Sequence, residues 1–178
     1  MRVFIAIDLS NDLQKAVINW QNRHNGLPVS WVKGTNLHAT LIPPWEIDPE
    51  DLHATINFFR AQKFIYDSPE VKLNRVCYGP NLKKSRVIWA KGQANNQMVD
   101  LKERLEEISG VKSEYNPWLP HITIGKFNPA LFSQLATEQL TEDINWTESP
   151  NSFVLMESIR TQIGTGYSVL ARFQILGI

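Results

Sequence analysis

Apolar residues recur along this chain at two alternating periods. Val3–Leu9 is β-rich and almost continuously apolar, which predicts a central strand. Ser10 then offers a cap, and Leu13, Val17 and Trp20 follow at helical spacing until Gly26 stops the pattern. Ser30–Lys33 predicts a short strand, Asn36 a turn, and Leu37–Ile42 a further strand ended by Pro43 and Pro44. The run Asp48-Pro49-Glu50-Asp51 is a helix start, with a cap, a proline in the first turn and acids at the positive end of the dipole. Leu52, Ile56 and Phe59 supply the buried stripe of that helix.

The second half repeats the alternation. Strands are expected near Val71–Tyr78 and Arg86–Lys91. Met98, Leu101, Leu105 and Ile108 then mark an amphipathic helix closed by Gly110, with a charged solvated face. Pro117 and Pro120 bracket the approach to a strand at His121–Phe127, and a short helix is expected over Ala130–Gln139. The end reads as a hairpin: Phe153–Thr161, a turn at Gly164-Thr165-Gly166, then Tyr167–Ile175. No lysine-serine pair follows that Gly-x-Gly and no helix opens after it, so it is a turn rather than a phosphate loop. Strand, helix, strand, strand, helix, and then a similar series, suggests halves related by a pseudo-twofold, although their sequences show no repeat.

Length and charge narrow the class. The 178 residues suit one domain, 1–178, able to bury a core without staples. The formal net charge is zero, from 18 basic and 18 acidic residues, which argues against a general surface for duplex nucleic acid. A small anionic substrate held by local groups remains compatible. Cys77 is the only cysteine, so no intrachain disulfide forms. Neither a signal peptide nor a membrane span is legible, and the expectation is a cytoplasmic protein with no membrane partner and no obligate protein partner.

Chemistry concentrates in a short motif. Of four histidines, three are followed two residues later by threonine: His38–Thr40, His53–Thr55 and His121–Thr123. In a strand, residues i and i+2 share a face, so an imidazole and a hydroxyl stand side by side. In a helix they lie about 200° apart and cannot converge. His38 and His121 fall in strand patterns, whereas His53 falls in the helix after Pro49; the first and third motifs therefore form the candidate pair. His53 is expected to be exposed, and His24 to sit at a helix C-terminus.

Cleaving a phosphodiester takes a base for the nucleophile and an acid for the departing oxygen, on opposite sides of an in-line displacement. Histidine serves either role near neutral pH. Threonine hydroxyls can donate to the non-bridging oxygens. No cofactor is required. Metal binding is the competing chemistry, but zinc wants a third ligand and no acid or cysteine adjoins either motif. Two histidines that only satisfy hydrogen bonds would be the preferred reading of one motif, and are a weaker reading of a matched pair.

At these residues the sequence resembles the 2H phosphoesterase superfamily, and within it the RNA 2′,3′-cyclic phosphodiesterases also called 2′-5′ RNA ligases. The likeness spans nearly the whole chain. It includes Arg2-Val3-Phe4-Ile5-Ala6-Ile7, Asn36-Leu37-His38, Ser85-Arg86-Val87-Ile88-Trp89, Pro120-His121-Ile122-Thr123 and the segment from Glu157-Ser158 to Tyr167. The resemblance implies an α+β fold of two interleaved lobes with antiparallel sheets around a central cleft and helices outside, each lobe giving one motif. It implies opening of a 2′,3′-cyclic phosphate on RNA ends or small nucleotides to a 2′-phosphate. His121 would activate water, His38 would protonate the leaving 3′ oxygen, and Thr40 and Thr123 would hold the phosphate.

The chain departs from the family in two places. Lys126 stands where the family often has arginine, and its odd offset from His121 demands a bulge or strand end to bring it to the cleft. Ile42-Pro43-Pro44-Trp45 replaces a common Phe-Leu-Gly, which stiffens one rim and adds an indole that can stack on a base or pack inward. Two other readings stay open: another ester, such as a 2′-5′ linkage, its reverse ligation or ADP-ribose cyclic phosphate, and a non-catalytic nucleotide or RNA sensor.

Overall fold

The fold is described from a computed structural model, for residues 1–80, 85–113, 117–131, 140–162 and 164–177. Nine strands, β1 Arg2–Asp8, β2 Ser30–Trp31, β3 His38–Glu46, β4 Val71–Gly79, β5 Val87–Ala94, β6 His121–Lys126, β7 Thr141–Glu148, β8 Ser152–Thr161 and β9 Gly164–Gln174, form one sheet. The helices are α1 Asn11–Arg23, α2 Leu52–Arg60 and α3 Asn96–Ser109. The chain is α+β and its named strand pairs are antiparallel. Among the described residues no helix is long and apolar enough to cross a membrane.

Strand order carries the expected twofold. The path β7-β4-β5-β6-β3-β1-β8-β9 reads outward from its centre as the pairs β6/β3, β5/β1, β4/β8 and β7/β9. The two halves are therefore not separate sheets. They join where Ala39 of β3 pairs with Ile122 of β6, the central residues of the two His-x-Thr motifs. The sheet cannot be flat, because residues 149–151 alone link β7 at one edge to β8 beside β1. Three residues reach about 10 Å, whereas the intervening strands would span nearly 30 Å if flat.

One face of the sheet is covered by helices. Ala39, Leu41, Ile122 and Ile124 point into the main core with Leu13, Val17 and Trp20 of α1 and Met98, Leu101 and Leu105 of α3. The histidines and threonines point the other way, and there a second cluster forms from Phe4, Ala6, Val154 and Met156. This explains the unbroken apolar run of β1. Val3, Ile5 and Ile7 face the helices while Phe4 and Ala6 floor the opposite side.

Local chemistry sets the ends of α1 and α3 as expected, whereas α2 starts only at Leu52, after a 3₁₀ turn at Pro49–Asp51 that the Asp48 side chain does not cap. The Ser10 hydroxyl accepts from the Leu13 amide, and Gly110 closes α3 at φ 71°. His24 caps α1, stacking on Trp20 at 3.8 Å. His53 lies exposed on α2.

Three further expectations change. The turn expected at Gly164-Thr165-Gly166 lies earlier, since these residues already pair with Thr161, Arg160 and Ile159 in the β8–β9 ladder. Strand β3 runs through Pro43 and Pro44 instead of ending there. Both prolines fall where the β1 ladder shifts register between Val3↔Trp45 and Ile5↔Ile42, and the only described pair with β6 lies at Ala39, so no ladder bond is lost. Strand β7 was not legible in the pattern. A 3₁₀ turn occupies Pro129–Leu131, and the rest of the span Ala130–Gln139, where a helix is expected, lies outside the described residues.

Candidate active site

The two motifs build a square. One step either way from the Ala39↔Ile122 pair sets His38 opposite Thr123 and Thr40 opposite His121. All four side chains are half-buried on the face away from the helices. The histidines occupy one diagonal, a separation of about 7–8 Å between backbones on adjacent strands. Two imidazoles so placed can flank a phosphorus centre, with a hydroxyl beside each.

Each imidazole is oriented in the same way. His38 Nδ1 lies 2.8 Å from the Asn36 carbonyl, and His121 Nδ1 lies 2.9 Å from the Leu119 carbonyl. In both motifs the partner is two residues back along the chain. A carbonyl only accepts, so Nδ1 carries the hydrogen and Nε2 keeps its lone pair. Aromatic contacts fix the ring planes. His38 sits 5.0 Å from Phe4 and 4.9 Å from Tyr167, and His121 lies against Trp89 at 4.0 Å.

Burial lowers the pKa of both histidines from the usual 6.5, partly opposed by their backbone hydrogen bonds. His38 is lowered further by the positive charge of Lys126 and by His121. Both imidazoles are therefore biased toward the neutral form. An arriving phosphate anion reverses this bias by favouring the protonated form of a neighbouring ring.

A cavity of about 350 Å³ opens over His38, Thr40 and Thr123, while His121 is not among its lining residues. Its charged lining residues are Arg2, Lys126 and Arg160, with no carboxylate among them. In a chain of zero net charge this is a local concentration of cations. Among the described residues no third histidine, cysteine or carboxylate joins the pair to make a metal-binding cluster.

Known proteins resemble this chain along most of its length. The family model for LigT like phosphoesterases matches residues 7–89, which contain the first motif. An RNA 2′,3′-cyclic phosphodiesterase of Methanocaldococcus jannaschii is 33% identical over 129 residues, covering 71% of each chain. The chain belongs to the LigT-like phosphoesterase family. A Thermotoga maritima protein of the same name is 28% identical and covers 99% of this chain and 97% of its own. In fold, a crystal structure of Escherichia coli LigT complexed with 3′-AMP superposes with a TM-score of 0.74 over 98% of both chains, at 24% identity.

Within this LigT-like frame Lys126 reaches the cleft by the bulge its offset demanded. The β5 ladder shifts register between Ile88↔Gly125 and Trp89↔Thr123, so Ile124 and Gly125 are both buried and Lys126 returns to the Thr123 face. The other motif has the same device. Ala6↔Thr40 is followed by Ile5↔Ile42, and Leu41 and Ile42 are both buried. The counterpart of Lys126 is then Pro43, which makes the site chemically one-sided. Lys126 reaches across the cleft, its ammonium 6.0 Å from the centre of the Tyr167 ring.

The structure places Trp45 differently from a stacking platform. Trp45 packs against the main core, and Pro44 lines the cavity instead. Arg2, Arg160 and Tyr167 line the cavity without having been singled out from sequence. Their signal lay in period two: Arg2 shares a face with Phe4 and Ala6, and Arg160 with Val154 and Met156.

Substituting Lys126 tests its electrostatic part. K126Q is expected to lower kcat/KM about tenfold, since a cation no longer meets the substrate anion. It also removes a charge that depresses His38, so the alkaline limb of the kcat/KM profile moves to higher pH. A profile unmoved by K126Q counts against contact between these two groups.

Proposed function

We propose that this protein hydrolyses 2′,3′-cyclic phosphodiester ends of RNA or nucleotides to 2′-phosphates, by acid–base catalysis between His38 and His121. One observation carries this reading: both rings are tied through Nδ1 to a backbone carbonyl, which frees two Nε2 atoms on the diagonal of a square completed by Thr40 and Thr123. The cationic lining beside His38, Thr40 and Thr123 and the names of the M. jannaschii and T. maritima relatives support it. The 3′-AMP bound by E. coli LigT is of the size and charge this cleft would take.

The cyclic phosphate lies between the rings. His121 Nε2 takes a proton from water as the water oxygen bonds to phosphorus. The bond from phosphorus to the 3′ oxygen breaks, and protonated His38 returns a proton to that oxygen. The product keeps its phosphate on the 2′ oxygen. Thr40 and Thr123 hydroxyls donate to the non-bridging oxygens, and Lys126 offsets their charge. The protons balance without a metal, and the acid is supplied because the bound anion favours a protonated imidazole. The choice of His121 as base follows the family resemblance.

The test is product analysis. Incubation with a 2′,3′-cyclic nucleotide in the presence of chelator is expected to give only the 2′-phosphate by phosphorus NMR. A 3′-phosphate would reverse the leaving group, and saturable binding without product would make the cleft a sensor. Turnover that chelator abolishes would sink the metal-free mechanism.

A further inference from the structure

The cleft has more positive charge than one phosphate needs, and the surplus is on one side. Lys126 projects from the same face as Thr123, beside the square. Arg2 and Arg160 are elsewhere. Arg2 starts β1, four residues before Ala6, which pairs with Thr40, an offset of about 13 Å along the strand. Arg160 lies six residues beyond Val154, which pairs with Ala6, an offset of about 20 Å. Both side chains nevertheless line the same cavity as Thr40, so both lean toward the square from beyond it.

Neither arginine has a structural task that accounts for it. Both are exposed, and among the described residues neither has a carboxylate at ion-pair distance. Their neighbours in the lining are hydrogen-bonding side chains of the β8–β9 hairpin: Ser158 is paired with Tyr167, and Arg160 with Thr165. Among the described residues of the opposite half, Arg2 has no equivalent. By the shared bulge Ala6 corresponds to Trp89, so Arg2 corresponds to Ser85, which is buried. Across the pseudo-twofold a buried serine thus stands where Arg2 meets the cleft.

Resting on the cyclic phosphodiesterase reading, we infer that Arg2 and Arg160 form a second anion subsite, which takes the phosphate on the 5′ oxygen of the nucleotide whose cyclic phosphate lies between the histidines. Guanidinium groups suit this task, because their fork pairs with two phosphate oxygens at once. One nucleotide then spans the cavity, from the square to the β8–β9 rim. The favoured substrate class carries two phosphates on its terminal nucleoside, either an RNA end or a 5′-phosphorylated cyclic nucleotide.

Two readouts test this with the full chain. In binding, adenosine 3′,5′-bisphosphate is expected to bind the wild type about tenfold more tightly than 3′-AMP, the gain of a charged hydrogen-bonded contact. In turnover, kcat/KM should favour 5′-phosphorylated adenosine 2′,3′-cyclic phosphate over the unphosphorylated compound by a similar factor. In R2Q/R160Q both preferences should fall to within about twofold. The exposure of both side chains keeps folding out of the comparison, which a thermal melt checks. A dinucleotide ending in a cyclic phosphate separates the two sources: if it matches the 5′-phosphorylated monomer the subsite reads RNA ends, and if it lags it reads free nucleotides. Equal binding of bisphosphate and 3′-AMP by the wild type overturns the inference, as does a preference that survives R2Q/R160Q. A binding preference without turnover of any cyclic substrate leaves the subsite standing and removes the hydrolase reading instead.

Discussion

H38A and H121A are each expected to lower kcat by about 10²–10⁴-fold, the range for loss of a positioned acid or base. The square explains why each loss should be large. The two Nε2 atoms act on opposite sides of one phosphorus centre, so neither ring can take over the other's task. For the same reason the double variant should be little worse than either single one, because groups acting as a unit are not additive. H53A is the internal control. His53 has the same neighbours in sequence terms, but it is exposed on α2 and should alter kcat by less than about twofold. A large loss there, or full activity in H38A or H121A, would show that the wrong motifs were paired.

The same variants have a signature in stability. Both histidines have folded-state pKa values below the unfolded value of 6.5. In the window beneath 6.5 the unfolded chain therefore binds more protons than the folded one, and stability falls as pH drops through that window. Above 6.5 both states are neutral at these sites and the contribution is flat. Each alanine variant removes one such group, so its melting temperature should depend less steeply on acid pH. Denaturation followed across that window separates loss of chemistry from loss of fold.

What could be seen in the sequence was set by which contacts are local. Period and capping disclosed α1, α3 and the terminal hairpin, because Leu13, Val17 and Trp20 or Met98, Leu101 and Leu105 mark a buried stripe within one element. Strand β7 escaped because only Ile144 and Trp146 make its inward face apolar. Its other inward residues, Glu142 and Glu148, meet His24 and Ser10 of α1, and those partners are distant in sequence. The His-x-Thr pair was legible because a strand puts both side chains on one face. Lys126 was half legible, since its odd offset required a bulge whose position depends on β5. The cationic rim had only a period-two signal, and that was masked. Arg2 and Arg160 belong to strands whose cleft faces look like core, because Phe4, Ala6, Val154 and Met156 are buried there in a second cluster.

Replacing the threonines should produce the other large effect. T40V and T123V are each expected to lower kcat by about 10²–10³-fold, the range for removing one donor to developing charge. Valine keeps the shape of threonine and the half-buried strand positions suit it, so folding should survive. The distribution between kcat and KM carries the argument. The non-bridging oxygens are already anionic in the ground state, so part of the loss will appear as weaker binding. Charge on them grows as water adds, however, and a hydroxyl held by the strand beside each histidine meets that growth without reorganising. The larger share of the loss should therefore fall on kcat. Serine supplies the test of mechanism, because it restores the hydroxyl without the methyl group. T40S and T123S should recover most of the activity, while the valine variants keep their pH profiles, since no titrating group has changed. Valine variants with near-normal kcat would confine the threonines to packing, and the square would then be a pair of histidines acting on a phosphate held by Lys126 alone.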